Sequence, residues 1–303
     1  MRPSQVLDIA LVTYGNMCTA LTDSRFKLAI PDRHLFNDIS DITFVRKVDR
    51  LSNSGRIVFS GISKWFDYLS ERRATRLWYV DPVNPDYSRK ESILVDFGSA
   101  HELWGGYADW LEKDKGLICR YEGYPSQSSR VKDIDLRSAK EDLKAALRGA
   151  MTFSKEVLRD DGDVERFRKA LSILDMDEPE VVTHLMGAVP EEGYSLTTYQ
   201  VFAGVFEGWC WWGMSDFSDV KPEDRSRWAE HDQIDANLYA AMQNGLMAAA
   251  NSRELRIDRI QKYKGERLVW PITSTEFIPV EVSHSPILSK AERKKIRKEA
   301  RAR

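Results

Sequence analysis

The sequence predicts an α+β protein: an N-terminal antiparallel sheet with a helix on it, followed by an antiparallel helical domain. Three observations carry this. Between residues 42 and 97, four short runs rich in β-branched, aliphatic and aromatic residues alternate with turn signals. Between residues 138 and 251, apolar residues recur at three- and four-residue steps. The change of texture falls just after Gly98, so strands and helices are segregated along the chain rather than interleaved.

Pro3 and Ser4 open a helix over the apolar run from Val6 to Val12, although Gly15 and Asn16 interrupt its pattern. Ile42 to Leu51 and Arg56 to Ile62 form two strands of a hairpin across Ser52-Asn53-Ser54-Gly55. Ser63 opens a short helix with Trp65, Phe66 and Leu69 on one side and Glu71-Arg72-Arg73 at its end. Thr75 to Val80 is a third strand. The two prolines of Asp81 to Asp86 make that stretch a loop, because proline removes ladder donors. Ser92 to Phe97 is a fourth strand. His101 to Leu111 has a helix-like spacing of Leu103, Trp104, Tyr107 and Trp110, broken by Gly105-Gly106. Gly116 to Asp135 reads as loop, with Tyr124 to Ser129 as a linker.

Ser138-Ala139-Lys140-Glu141 has the form of a capping box. The helix it opens carries Leu143, Ala146, Leu147, Ala150, Phe153 and Val157 on one face, and Asp160-Asp161-Gly162-Asp163 breaks it. Val164, Phe167, Leu171 and Leu174 mark a second helix. Asp177-Glu178-Pro179 starts a short third that ends near Gly187. Ser195 caps a fourth, with Tyr199, Phe202, Val205, Phe206 and Trp209 on one face. After Pro222 a fifth stripe runs through Ile234, Leu238, Ala241, Met242, Gly245 and Ala249. Arg267 to Trp270 and Phe277 to Val282 read as short strands. The organisation expected is residues 1–130, an α+β domain; 131–252, a helical domain; 253–288, a short strand region; and 289–303, a basic tail.

The chain's 303 residues are enough to bury a sizeable core. A net charge of −2 gives no global sign of nucleic-acid binding. It conceals an asymmetry, because residues 289–303 hold eight Lys or Arg against two Glu. Cys18, Cys119 and Cys210 are odd in number and in no metal-ligand spacing, so neither a disulfide framework nor a zinc site is implied and a reducing cytoplasm is the expected home. Asp8 interrupts the first apolar stretch, so no signal peptide is expected, and no apolar run is long enough for a membrane helix.

The stretch from Tyr194 to Val220 is where function is sought. Trp209, Trp211 and Trp212 fall within four positions. One element cannot bury all three on one face. They are either a core plug or, in part, a surface for a partner, since tryptophan is enriched at binding hot spots. The candidate partner-binding residues are Trp209, Trp211, Trp212, Met214, Asp216 and Asp219. In the tail, Lys290, Arg293, Lys294, Lys295, Arg297 and Lys298 are candidates for phosphate contacts, set against a solvated charged terminus. Ile296 is the tail's one large apolar residue, which gives it no membrane-inserting face. His231 with Asp235, one helical turn apart, could form an acid–base or ligand pair, and Asp96 with His101-Glu102 stands at an element boundary. Cys210, in apolar company, reads as an inert thiol. No nucleophile elbow, P-loop, dinucleotide fingerprint or zinc-protease motif is present, and no cofactor or metal is expected. The sequence leans away from an enzyme.

From about Phe97 to Ser252 the chain resembles a group of uncharacterised bacterial helical proteins. In that group a Glu-Gly-Tyr stretch leads into a helix and then into a Gly-Gly-Met-Gly-Ser-Trp-Asn-Asp segment. The matching positions are Glu192-Gly193-Tyr194, then Gly213, Met214, Phe217 in place of the tryptophan, and Asp219. Trp212, Ser215, Asp216 and Ser218 depart from the pattern, while Leu238-Tyr239 and Ala248 to Ser252 fit it. The resemblance implies a soluble bacterial protein with a helical second half, and no chemistry. The leading expectation is a cytosolic protein-binding factor without catalysis, of immunity or accessory type. The alternatives are association with nucleic acid through the tail and a hydrolase using His231 and Asp235.

Overall fold

The computed structural model describes residues 3–20, 39–48, 55–80, 91–110, 117–126, 131–185, 187–190, 193–211 and 217–253. All of these belong to one compact unit. The expected loop at 81–86, the strands at 267–270 and 277–282, and the basic tail lie outside the described residues.

The α+β class is as expected, with a six-stranded sheet followed by helices. The strands are β1 (Ile39–Arg46), β2 (Ile57–Ser60), β3 (Arg76–Tyr79), β4 (Glu91–Asp96), β5 (His101–Trp110) and β6 (Leu117–Ser126). Their order is β2-β1-β6-β5-β4-β3. The predicted hairpin forms, with Phe44 opposite Phe59. Every pair is antiparallel except β1–β6, which is parallel because β6 returns to the middle of the sheet beside β1.

Two sequence expectations fail here. Residues 101–110 are a strand rather than a helix, and residues 117–126 are a strand rather than a loop. Gly106, one of the two glycines that interrupted the helix-like spacing, and Gly123 in the expected loop are seats for large rings. Trp104 lies opposite Gly123, and Gly106 opposite Tyr121. A Cβ on Gly123 would fall 2.2 Å from the Trp104 indole, and one on Gly106 would fall 2.7 Å from the Tyr121 ring. Each ring fills the space that its partner's missing side chain leaves on the pleated surface.

One face of the sheet carries Phe44, Tyr79, Ile93, Trp104 and Tyr121, all buried. Helix α2 (Ile62–Glu71) lies on it. Its Trp65 stacks on Phe44 at 4.6 Å between centroids, nearly parallel, and meets Trp104 edge-on. The buried side of α2 is Trp65, Tyr68 and Leu69, with Phe66 only partly covered. The helix ends where Arg73 turns left-handed.

Helix α1 (Pro3–Ala20) packs on the same face and is buried almost all round, from Val6 to Val12. It runs through Gly15 and Asn16 because both serve β3: Gly15 lies against Leu77, and the Asn16 side-chain oxygen accepts from Leu77 N at 2.9 Å.

The helices of the second half are α3 (Leu136–Phe153), α4 (Asp161–Ile173), α5 (Glu178–Val181), α6 (Leu196–Gly208) and α7 (Trp228–Ala250). The N-cap of α3 is Asp135, whose carboxylate accepts from Ser138 N at 2.8 Å. The helix thus starts before the expected Ser138 box, because the aspartate binds the amide that Ser138 itself presents. Ser195 caps α6 as expected, accepting from Thr198 N.

Hydrogen bonds join the halves at several points. Asn251, just past α7, uses its side-chain amide to bond both Tyr79 N and Tyr79 O at 2.8 Å. Tyr194 donates to the α1 carbonyl of Thr13. No helix among the described residues is long and apolar enough to cross a membrane.

Candidate partner-binding site

Helix α6 ends at Gly208, and Trp209 leaves it with extended backbone torsions. In an extended segment successive side chains alternate. Trp209 and Trp211 accordingly fall on one side, where they meet edge-on at 5.2 Å, while Cys210 between them is buried. The two indoles pack against the core while remaining only half-buried.

Helix α7 supplies the rest of the patch. Asp235 and Tyr239 are one turn apart and share a face. The Trp209 Nε1 proton goes to Trp211 O at 2.6 Å, and Trp211 Nε1 donates to Asp235 Oδ1 at 2.8 Å. Both indoles stand edge-on to Tyr239, at 6.2 and 5.1 Å, and Tyr239 is 43% exposed. Burial pushes the Asp235 carboxyl above its ordinary range, against the Trp211 hydrogen bond that lowers it. With both indole N–H groups used internally, these tryptophans present ring surface and no unsatisfied indole donor, which suits contact with an apolar or aromatic group.

Of the predicted partner residues, the structure brings together Trp209 and Trp211. Asp219 is exposed in the turn at 217–219. Trp212, Met214 and Asp216 lie outside the described residues, as do Lys290, Arg293, Lys294, Lys295, Arg297 and Lys298. Tyr239 was not singled out as a partner residue from the sequence. The signal that could have found it is its spacing from Asp235.

His231 and Asp235 do not pair as the spacing suggested. His231 is fully buried between Phe153 and Phe217. Its Nε2 lies 3.0 Å from Phe217 O, which can only accept, so Nε2 carries the proton. Nδ1 then accepts from Lys221 Nζ at 3.3 Å, and Lys221 also holds Asp232 at 2.5 Å. That ammonium's hydrogen bond keeps the Asp232 carboxyl below its usual range. The imidazole is a tie between α7 and the 217–221 turn. Asp235 is taken by Trp211, and no group of three or more metal-ligating side chains occurs among the described residues.

Asp96 and His101 flank the turn between β4 and β5, two strands, where a strand end and a helix start were expected. Asp96 accepts from Gly98 N, as a turn residue does. Glu102 points elsewhere and is 2% exposed. It accepts from Arg46 Nε at 2.7 Å, from an Arg72 Nη1 at 2.5 Å and from Tyr68 Oη at 2.7 Å. Burial, then the neighbouring carboxylate, pushes the Tyr68 phenol up to about 12. This cluster clamps α2 to β1 and β5, and no feature of the sequence announced it.

No protein-family model, curated protein or solved structure matches this chain. The functional reading therefore rests on geometry.

Proposed function

We propose that this protein is a cytosolic bacterial binding factor without catalysis, which engages a protein partner through Trp209, Trp211 and Tyr239. The observation that supports this is the half-exposed aromatic triad with its indole protons satisfied internally. Large rings anchored by their own hydrogen bonds are rigid, so little conformational freedom is lost when a partner covers them. Trp and Tyr are also the residues that dominate interface energetics.

The test is native mass spectrometry of protein purified gently from its own cells, in wild-type and Tyr239→Ala forms. Tyr239 is the exposed member, so its truncation leaves the fold intact by circular dichroism. A stoichiometric protein companion present in wild type and lost in the variant supports the reading. A companion retained undiminished by the folded variant, or no companion in either form, overturns it.

A further inference from the structure

We propose that Arg76, Arg253 and Trp78 form a binding site for a phosphate-bearing anion. The argument begins with strand alternation. Leu77 and Tyr79 are buried, Leu77 against α1, so Arg76 and Trp78 point to the opposite face of the sheet. Helix α7 ends at Ala250, and the Asn251 amide is pinned to the Tyr79 backbone. That pin delivers Arg253, two residues later, to Trp78.

The Arg76 guanidinium carbon lies 3.9 Å from the Trp78 ring centroid, and that of Arg253 lies 5.9 Å from it. Sharing one ring bounds their separation at about 10 Å, within the range where partly desolvated charges still interact. Among the described residues neither guanidinium forms an ion pair. Arg46, Arg72 and Arg166, by contrast, each contact a carboxylate.

Among the described residues the opposing charges nearby are small. Asp133 is exposed and favours the Arg76 charge from a distance, without contact. The C-terminus of α7 contributes through the Asn251 carbonyl, which accepts from Arg76 Nη2. A helix end amounts to roughly half a negative charge. Among the described residues, these two full positive charges are undercompensated.

The arrangement is also ordered for binding. The Arg76 guanidinium is held over the indole and tied at one nitrogen, while its Nε is buried with no hydrogen-bond partner among the described residues. Arg253 is exposed and can close on a ligand from the solvent side. Burial first, then the Arg253 charge, lowers the proton affinity of Arg76, a strain that a bound anion would relieve. Two guanidinium forks suit a doubly charged tetrahedral oxyanion better than a single carboxylate.

The experiment is a calorimetric titration of full-length protein with inorganic phosphate, and separately with a nucleoside monophosphate, at constant ionic strength in chloride. Wild type and Arg253→Ala are compared, and Arg253 is exposed enough for its loss to leave the fold intact. Saturable binding of either ligand is expected, weakened roughly ten-fold or more in the variant. Equal affinity for the two ligands assigns bare phosphate. Tighter nucleotide binding that Trp78→Phe weakens assigns a ligand that also stacks. A structural role for Arg253 is separated by thermal melts. In chloride the variant should be at least as stable as wild type, because a like-charge repulsion has gone, and in saturating phosphate the order should invert. Absence of saturable binding of both ligands, or equal binding by wild type and Arg253→Ala, overturns the proposal.

Discussion

Replacing Asp8 by asparagine should stabilise this protein near neutral pH and leave it almost unchanged near pH 4. Asp8 sits in the buried helix α1 and is 7% exposed. Its carboxylate accepts from Tyr121 Oη at 2.6 Å and from Ser92 Oγ at 2.7 Å, and no cation pairs with it among the described residues. Burial outweighs those two hydrogen bonds and raises the carboxyl from 3.8 to about 6. A carboxyl raised in the folded state holds its proton more tightly there than in the unfolded chain. Its contribution to stability is therefore fullest below about pH 4 and declines as pH rises to about 6. The gap of about two pH units, at about 1.4 kcal/mol each, corresponds to ~3 kcal/mol of destabilisation above pH 6. Asparagine keeps an acceptor for Tyr121 and can donate to Ser92 Oγ, and it never ionises. Urea denaturation of wild type and D8N at pH 4 and pH 7 measures the effect as a difference, so other titrating groups largely cancel. The expected outcome is near equality at pH 4 and an advantage of ~3 kcal/mol for D8N at pH 7. A variant that loses the same stability at both pH values would refute this reasoning, because the ionised carboxylate would then carry no burial penalty.

Other changes follow from the same core. Gly123→Ala drives a methyl into the Trp104 indole, and with backbone on both sides of the pair little can yield. A loss of about 2–4 kcal/mol in denaturant unfolding is expected, toward the upper end for overpacking. Glu102→Gln leaves Arg46 and Arg72 without their counter-charge. Both guanidiniums retain some solvent, so the loss is set below that of a fully buried pair, at about 2 kcal/mol. The Tyr68 phenol should titrate lower in the same variant, because the carboxylate that raises it is gone, and ultraviolet titration of the tyrosines measures this.

The helical half was legible because its stripes are long. Leu143, Leu147, Ala150 and Phe153 repeat over several turns, and all are buried where the spacing put them. Ser195 was legible as a cap because its chemistry is local. Strands β5 and β6 were not. Trp104 and Gly123 explain each other only when the two strands are adjacent, and a window on one strand sees a helix-like aromatic spacing or a glycine-bearing loop.

The site divides in the same way. The concentration of tryptophan at 209–212 was visible along the chain, and it located the patch. Which rings share a side depended on the helix ending at Gly208 rather than one turn later, and Tyr239 joined them through the packing of α7. His231 and Asp235 show the reverse case, a sound local spacing overridden by nonlocal partners at Phe217 and Trp211.

By itself the sequence determined the fold class, the number and placement of most helices, the hairpin and the aromatic focus. These depend on periodicity and capping, which act over a few residues. Only the tertiary structure decided the parallel β1–β6 pairing, the ring-over-glycine contacts, the Glu102 clamp, the burial of Asp8 and the placing of Arg76 and Arg253 beside Trp78. Each of these joins residues distant in the chain, where a polar or charged group's partner is set by which backbone passes beside it.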